Sequence, residues 1–164
     1  MRSEETMDAI SGPASQLSTD WVRDWAQRFL GGWNSHDPEQ LLRLATEDVI
    51  WVDPVIPGGI ANGKPAVSAW LVSAWTAFPD LTFEMIGEPF VSVDGTRVAM
   101  AWRGTATFAG PHRSGLEPTG APVEMTGIDV YEFAGDLISR VVTETDTKPL
   151  HRQIGAVPAG EPTH

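Results

Sequence analysis

Residues 121–147, APVEMTGIDVYEFAGDLISRVVTETDT, decide the fold of this chain. Apolar and polar side chains alternate along 121–133 and again along 137–147, and this period of two predicts β-strands. Between the two runs, Ala134-Gly135-Asp136 is a hairpin turn signal. The stretch therefore predicts two long antiparallel strands joined by a tight turn.

The same period of two extends upstream of this hairpin. It predicts strands over 81–92 and 97–108, with a turn signal between them. A long polar loop, 110–120, then leads into the last two strands. His112 and Arg113 lie in this loop, where a solvated position is favoured over a lid above a pocket.

Helical patterns and one more strand precede the meander. Apolar residues recur with helical spacing over 18–33 and 64–78. A short helix lies between them, with Asp37 as its N-cap and Pro38 at its first position. A strand over 49–53 separates this short helix from the third one.

Helices followed by an antiparallel meander define an α+β domain. We expect a single domain over 18–157, between disordered polar tails at 1–17 and 158–164. The sheet has to curl around the three helices to bury both layers, and the result is a cone that contains a pocket.

The composition excludes several classes of function. The 164-residue chain has a net charge of −11 and no Lys/Arg cluster, so it would repel nucleic acid and an anionic membrane surface. It has no cysteine, and its four histidines lack metal-ligand spacing. There is no signal-peptide pattern, and no apolar run approaches the roughly 18 residues of a membrane span. We expect a cytoplasmic protein without a metal or another cofactor.

Two aspartates interrupt apolar strand patterns: Asp53 in IWVDPV and Asp129 in TGIDVY. Burial raises the pKa of a carboxyl group, and two such groups in one pocket can accept and donate a proton. Trp51 should share the strand face of Asp53, and Pro54 offers no N–H to its carboxylate. In the alternative interpretation, Asp53 binds the amides of the following turn, and Asp129 accepts from Tyr131 or a nearby amide.

Aromatic residues are numerous, with seven Trp and six Phe against one Tyr. Ordinary core packing explains most of them. So many flat apolar side chains would also suit a pocket for a hydrophobic small molecule.

Four short segments carry a family resemblance: 52–55 (VDPV), 128–133 (IDVYEF), 118–129 (PTGAPVEMTGID) and 152–155 (RQIG). The first two resemble segments of ketosteroid isomerases, and the last two resemble the SnoaL-like polyketide cyclase branch. Together they resemble the NTF2-like superfamily over about residues 20–157. The resemblance implies an NTF2-like cone, with three N-terminal helices packed on a curved, mostly antiparallel sheet.

The resemblance also implies roles for individual residues. Asp53 matches the general base of the isomerases, and Asp129 matches the Asp that stays protonated and donates to the substrate oxyanion. A hydrophobic substrate is expected to contact the following residues: Phe29, Trp33, Trp51, Trp70, Trp102, Met125, Tyr131 and Thr143.

Two positions depart from the family patterns. Phe29 stands where the isomerases place a Tyr that donates to the oxyanion. Thr143 stands where the cyclases and the related epoxide hydrolases place an acid/base Asp, and Arg103 alone does not rebuild the hydrolase triad. The indole N–H of Trp33 or Trp102 is a candidate for the missing donor.

These observations lead to three hypotheses. The first is a cofactor-independent enzyme that abstracts a proton α to a carbonyl of a hydrophobic, polycyclic compound, leading to isomerisation or cyclisation. The second is a small-molecule binding or assembly domain without turnover. The third and weakest is epoxide-hydrolase-type hydrolysis, with Asp53 or Asp146 activating water. We also expect a homodimer that packs the outer face of its sheet.

Overall fold

The computed structural model describes residues 16–156. Its helices are α1 (Thr19–Asn34), α2 (Pro38–Leu42), α3 (Gly63–Ala77) and α4 (Lys148–Gln153), with a 3-10 turn at Pro57–Gly59. Its strands are β1 (Ala45–Val52), β2 (Ile60–Asn62), β3 (Thr82–Met85), β4 (Phe90–Val91), β5 (Arg97–Thr107), β6 (Pro122–Ala134) and β7 (Leu137–Thr145). Except for Gln16 and Leu17, the predicted tails lie outside the described residues.

Within these residues a seven-stranded sheet has the order β2-β1-β7-β6-β5-β3, and β4 also pairs with β5. β5, β6 and β7 form an antiparallel meander of long strands. β1 lies beside β7 in a parallel arrangement. The predicted α+β class and the mostly antiparallel sheet are confirmed.

Local sequence signals set the helix starts as predicted. The hydroxyl of Ser18 accepts the backbone N–H of Trp21 at 3.2 Å. The carboxylate of Asp37 accepts the N–H of Glu39 at 2.9 Å, and Pro38 occupies the first turn. These side chains bind N–H groups that the first turn of a helix leaves unpaired.

The main core lies between the helices and the inner face of the sheet. Trp25 and Phe29 of α1, Leu71 of α3, Tyr131 of β6 and Val141 of β7 are all buried in it. α1 and α3 therefore cover the inner face of the strands and form one wall of the space that the curved sheet surrounds.

The strand pattern differs from the prediction in two places. The predicted strand over 81–92 divides into β3 and β4, because Gly87 adopts a left-handed φ of 76° and breaks the run. β2 is absent from the prediction, since its three residues lie between Gly59 and Gly63 and are too short to show alternation. Pairing with β1 holds β2 in place.

α4 is also absent from the prediction. Its Leu150, with Ile154 just after it, packs into a second, smaller core cluster. The side chain of Gln153 accepts the N–H of Glu124 at 2.7 Å and donates to its carbonyl at 3.2 Å. A six-residue helix is marginal alone, so these tertiary contacts hold it against β6. None of the helices in the described residues is long and apolar enough to cross a membrane.

Candidate functional site

A pocket of about 140 Å³ lies between the helices and the inner face of the sheet and opens to solvent at one end. The following predicted site residues line it: Phe29, Trp33, Trp51, Asp53, Trp70, Trp102, Met125, Asp129 and Thr143. Tyr131 does not line it, because this side chain is fully buried behind Asp129. An apolar cavity of about 150 Å³ holds one benzene ring, so a larger molecule would extend through the open end.

The sheet register brings three polar side chains to one level of the pocket. Asp129 on β6 lies directly opposite Thr143 on β7. On the other side of β7, Val52 of β1 pairs with Val142, so Asp53 comes next to Thr143 as the chain leaves the strand. Neighbouring strands are about 4.8 Å apart, which puts the backbones of Asp53 and Asp129 about 10 Å apart with Thr143 between them.

Asp129 receives three hydrogen bonds from neighbouring side chains. The indole Nε1–H of Trp102 donates to its Oδ1 at 3.0 Å, and the hydroxyl of Thr143 donates to the same oxygen at 2.7 Å. The hydroxyl of Tyr131 donates to its Oδ2 at 2.8 Å. Burial raises the pKa of Asp129 above its ordinary value, although all three donors oppose the rise. The group is therefore both well positioned and shifted towards its neutral form.

Gly127 makes the contact between Trp102 and Asp129 possible. It lies opposite Trp102 in the β5–β6 register. A Cβ at this position would come within 2.4 Å of the Trp102 ring. Because glycine has no side chain, the indole can lie across β6 and reach the carboxylate two residues further on.

Asp53 is buried at the end of β1 beside the aromatic wall. Burial raises the pKa of Asp53 from 3.8 to about 6, and the nearby charge of Asp129 adds to the rise. The N–H of Val55, which donates to Oδ1 at 2.9 Å, opposes it, as do the Thr143 hydroxyl and the Arg113 guanidinium. Asp53 therefore makes the turn contact of the alternative interpretation and also faces the pocket.

Thr143 connects the two carboxyl groups. Its single hydroxyl proton is donated to Asp129, and the same hydroxyl is near enough to Asp53 to lower the pKa of that carboxyl group when it turns towards it. The side chain is only 4% exposed, so bulk water does not compete with these contacts. Thr143, which departs from the cyclase pattern, thus places an uncharged hydroxyl between Asp53 and Asp129.

Aromatic rings form a wall of the pocket beside Asp53. The rings of Trp33, Trp51 and Trp70 contact one another with centroids 5.4–5.9 Å apart, and Phe29 stacks on Trp51 at 6.2 Å. Phe29 also meets the ring of Tyr131 edge-on at 5.0 Å. The indole N–H of Trp51 is buried without a hydrogen-bond acceptor among the described residues. The N–H of Trp102 is already used by Asp129, so it does not replace the missing oxyanion donor directly.

Three basic residues that sequence analysis left out of the site also line the pocket: His112, Arg113 and His151. The sequence favoured a solvated position for His112 and Arg113. This prediction was wrong for His112, which packs against Phe78 and Phe108. The available signal was the position of the pair in the loop that leads from β5 into β6, the strand that carries Asp129. Within residues 16–156, no three His, Cys, Asp or Glu side chains come together in a way that would hold a metal ion.

Residues 26–141 match the SnoaL-like domain family. The chain belongs to this family. The predicted NTF2-like superfamily and its SnoaL-like branch are thereby confirmed. No curated protein matches the chain in sequence.

Solved structures show the same fold at low sequence identity. A candidate SnoaL-like polyketide cyclase from Jannaschia sp. CCS1 is 17% identical over 88% of this chain and 100% of that chain, with a TM-score of 0.73. AclR, a candidate hydroxylase from Streptomyces galilaeus, is 19% identical over 88% and 87% of the two chains, with a TM-score of 0.73.

A third neighbour is SalBIII, an epoxide hydrolase/cyclase-like enzyme in pyran ring formation in the polyether salinomycin. It is 21% identical over 79% of this chain and 94% of that chain, with a TM-score of 0.66. Likeness at this level establishes the fold of this SnoaL-like domain, and its chemistry has to be argued from its own site.

Proposed function

We propose that this SnoaL-like domain is a cofactor-independent acid/base enzyme acting on a hydrophobic, polycyclic carbonyl compound. The observation that carries the proposal is the pair of buried carboxyl groups in one apolar pocket, with Asp53 at a pKa of about 6 and Asp129 shifted towards its neutral form. A base works best when its pKa lies near the operating pH, and a neutral carboxyl group can donate to a developing oxyanion.

In the proposed step, the Asp53 carboxylate takes a proton from the carbon α to the carbonyl. The C–H bonding electrons form the enolate, and the negative charge develops on oxygen, where neutral Asp129 donates a hydrogen bond. Trp102 and Tyr131 hold the Asp129 carboxyl group in place. The enolate then either regains the proton at another carbon, which is isomerisation, or attacks a second carbonyl of the same molecule, which is cyclisation.

The first test is the pH dependence of enolisation. Deprotonated Asp53 is required, so exchange of the α-protons of 1-tetralone for deuterium should accelerate as the pH rises through about 6. The ¹³C signal of the Asp53 carboxyl group should titrate at the same pH. An exchange rate that stays flat between pH 5 and pH 8 would contradict a base role for this residue.

Thr143→Val should shift the acid side of this profile to higher pH. Valine has nearly the same shape but removes the hydroxyl that lowers the pKa of whichever carboxyl group it donates to. Thr143→Ser keeps the hydroxyl and should retain the wild-type profile. Equal behaviour of the two variants by carboxyl ¹³C titration would show that the hydroxyl does not link the acids.

The two alternative functions receive less support. A binding or assembly domain would need the aromatic pocket but would not need the pKa of Asp53 drawn to about 6. Hydrolysis by Asp146 is disfavoured, because its carboxylate accepts the N–H of Lys148 at 3.0 Å and it is not among the pocket residues. Water activation by Asp53 would leave Asp129 without a role.

We also propose that the domain is a homodimer through the outer face of its sheet. Ile128 alternates with Asp129 on β6, so it faces outward, and it is 48% exposed. Val130, two residues further along β6, pairs with Val142 of β7, and both side chains are half-buried. An apolar centre on an exposed sheet face suits a second copy of the chain.

Light scattering after gel filtration should give about twice the chain mass of 17.8 kDa. Ile128→Glu should reduce it to the monomer mass, because it puts a charge at the centre of the interface. Val93→Glu, at a fully exposed turn position, should leave the dimer intact. A monomer mass for the wild-type chain would refute this interface.

A further inference from the structure

Three basic side chains line the pocket: His112 and Arg113 from the loop after β5, and His151 from α4. Arg113 and His151 are exposed, so they lie where the pocket meets solvent. We refer to these three residues as the basic mouth. None of them makes an ion pair with a carboxylate of the described residues. Positive charge collected at a pocket in a chain of net charge −11 requires an explanation.

The loop that carries His112 and Arg113 begins with backbone hydrogen bonds to the body of the domain. The N–H groups of Ala109 and Gly110 both donate to the carbonyl of Ala77, at 3.2 and 3.0 Å. A Cβ on Gly110 would lie 1.8 Å from the carbonyl oxygen of Thr76, so only glycine allows this close approach. The start of the loop is therefore fixed two residues before His112.

Hydrogen bonds also orient His112. Its Nδ1 lies 2.6 Å from the hydroxyl oxygen of Ser114 and 3.2 Å from the Ser114 backbone nitrogen. Its ring packs edge-on against Phe78 and Phe108, with centroids 6.2 and 5.9 Å apart. These contacts occupy Nδ1 and leave Nε2 without a hydrogen-bond partner among the described residues, so Nε2 is the ring nitrogen that can face a ligand.

The electrostatics of the mouth favour an anion. Burial, together with the charges of Arg113 and His151, lowers the pKa of His112, so three basic groups lie close together there. Burial also lowers the pKa of Arg113, and the Asp53 carboxylate opposes this change. A bound carboxylate would relieve the repulsion among the three groups.

We propose that the basic mouth binds a carboxylate on the substrate, so that the domain acts on a polycyclic carbonyl compound that also carries a carboxylic acid group. Arg113 provides the planar fork that pairs with two carboxylate oxygens, and His112 provides an oriented N–H. The carboxylate end lies at the open end of the pocket, and the ring with the acidic C–H lies between Asp53 and Asp129. The position of the reacting ring depends on the proposed function, whereas binding of the carboxylate does not.

The test compares 2-naphthoate with its neutral methyl ester, by quenching of the tryptophan fluorescence of the pocket. Arg113→Gln should weaken the binding of 2-naphthoate at least about tenfold, the scale of one lost charge-assisted contact, and change the binding of the ester less than twofold. Arg113→Lys should recover part of the loss. Arg43→Gln removes the same charge at an exposed position that does not line the pocket and should have no effect.

Three outcomes would overturn the proposal: no saturable binding of 2-naphthoate, equal losses for Arg113→Gln and Arg43→Gln, or equal losses for the acid and the ester. Asp53→Asn keeps the mouth intact and removes a nearby negative charge, so it should bind 2-naphthoate at least as tightly as the wild type. Binding of 2-naphthoate by a chain that does not exchange the α-protons of 1-tetralone would support the carboxylate subsite while contradicting the proposed reaction.

Discussion

Asp53→Asn is expected to abolish proton abstraction while making the folded domain more stable. Asparagine has the shape of aspartate and can still accept the N–H of Val55 through its amide oxygen, but it cannot take a proton. Loss of a general base lowers a rate by about 10²–10⁴-fold. The exchange of 1-tetralone α-protons should therefore fall to near the uncatalysed rate, with 2-naphthoate binding retained.

The stability change follows from the raised pKa of Asp53. The folded state holds this proton more tightly than the unfolded state, so the wild type gains stability as the pH falls below about 6 and lacks that gain at neutral pH. A shift of two units corresponds to about 3 kcal/mol. Asparagine is neutral at every pH, so at pH 7.5 the variant should be more stable by up to about 3 kcal/mol, and the difference should shrink towards pH 4.

Asp48→Asn is the matched control, because Asp48 lies on the same strand but is exposed. It should change neither the exchange rate nor the pH dependence of unfolding in urea. An Asp53→Asn variant that keeps the wild-type rate would exclude this carboxylate as the base. A variant that loses the rate and also loses stability would instead point to a structural role in the turn after β1.

The burial of Asp53 and Asp129 could be predicted from the sequence, because each interrupts an apolar strand pattern in which a carboxyl group is costly. The period of two along β6 also predicted that Asp129 and Tyr131 lie on one face of the strand. The link through Thr143 could not be predicted, because it depends on the parallel pairing of β1 with β7, and strand neighbours distant in sequence leave no local signal. Thr143 alone resembles an ordinary strand residue.

The position of the basic mouth could not be predicted from the sequence, for a different physical reason. The loop over 110–120 is polar and has no period, so its sequence is typical of a solvated connection. Its position comes from tertiary contacts, such as the two N–H groups that bind the carbonyl of Ala77. α4, which carries His151, is also held by side-chain contacts to β6 rather than by its own helix propensity.

Phe29→Tyr is expected to raise the enolisation rate on a conjugatable ketosteroid, 5-androstene-3,17-dione. Phe29 lines the pocket from α1, where the resemblance to ketosteroid isomerases places a tyrosine donor. The hydroxyl of Tyr131 and the N–H of Trp102 both donate to Asp129, so neither replaces that donor at the substrate oxygen. One added oxyanion donor contributes up to about 2.7–4 kcal/mol, or about 10²–10³ in rate.

The gain should appear in kcat rather than only in KM, because the donor matters most once charge develops on oxygen. Without a ligand the new hydroxyl enters a mostly apolar wall, so the variant should also lose about 1–3 kcal/mol of stability, the cost of an unpaired buried hydroxyl. Phe29→Leu keeps the wall apolar and adds no donor, so it should show no rise in kcat.

Formation of the conjugated enone, followed by absorbance, measures the outcome. Robust isomerisation by the wild-type chain, unchanged or lowered by Phe29→Tyr in a folded variant, would mean that another group already stabilises the oxyanion. The buried N–H of Trp51 would then be the first candidate, because this side chain lines the pocket and its N–H has no acceptor among the described residues. A rise in kcat with a loss of stability would instead show that the missing hydroxyl limits the chemistry of a site whose base and acid are already in place.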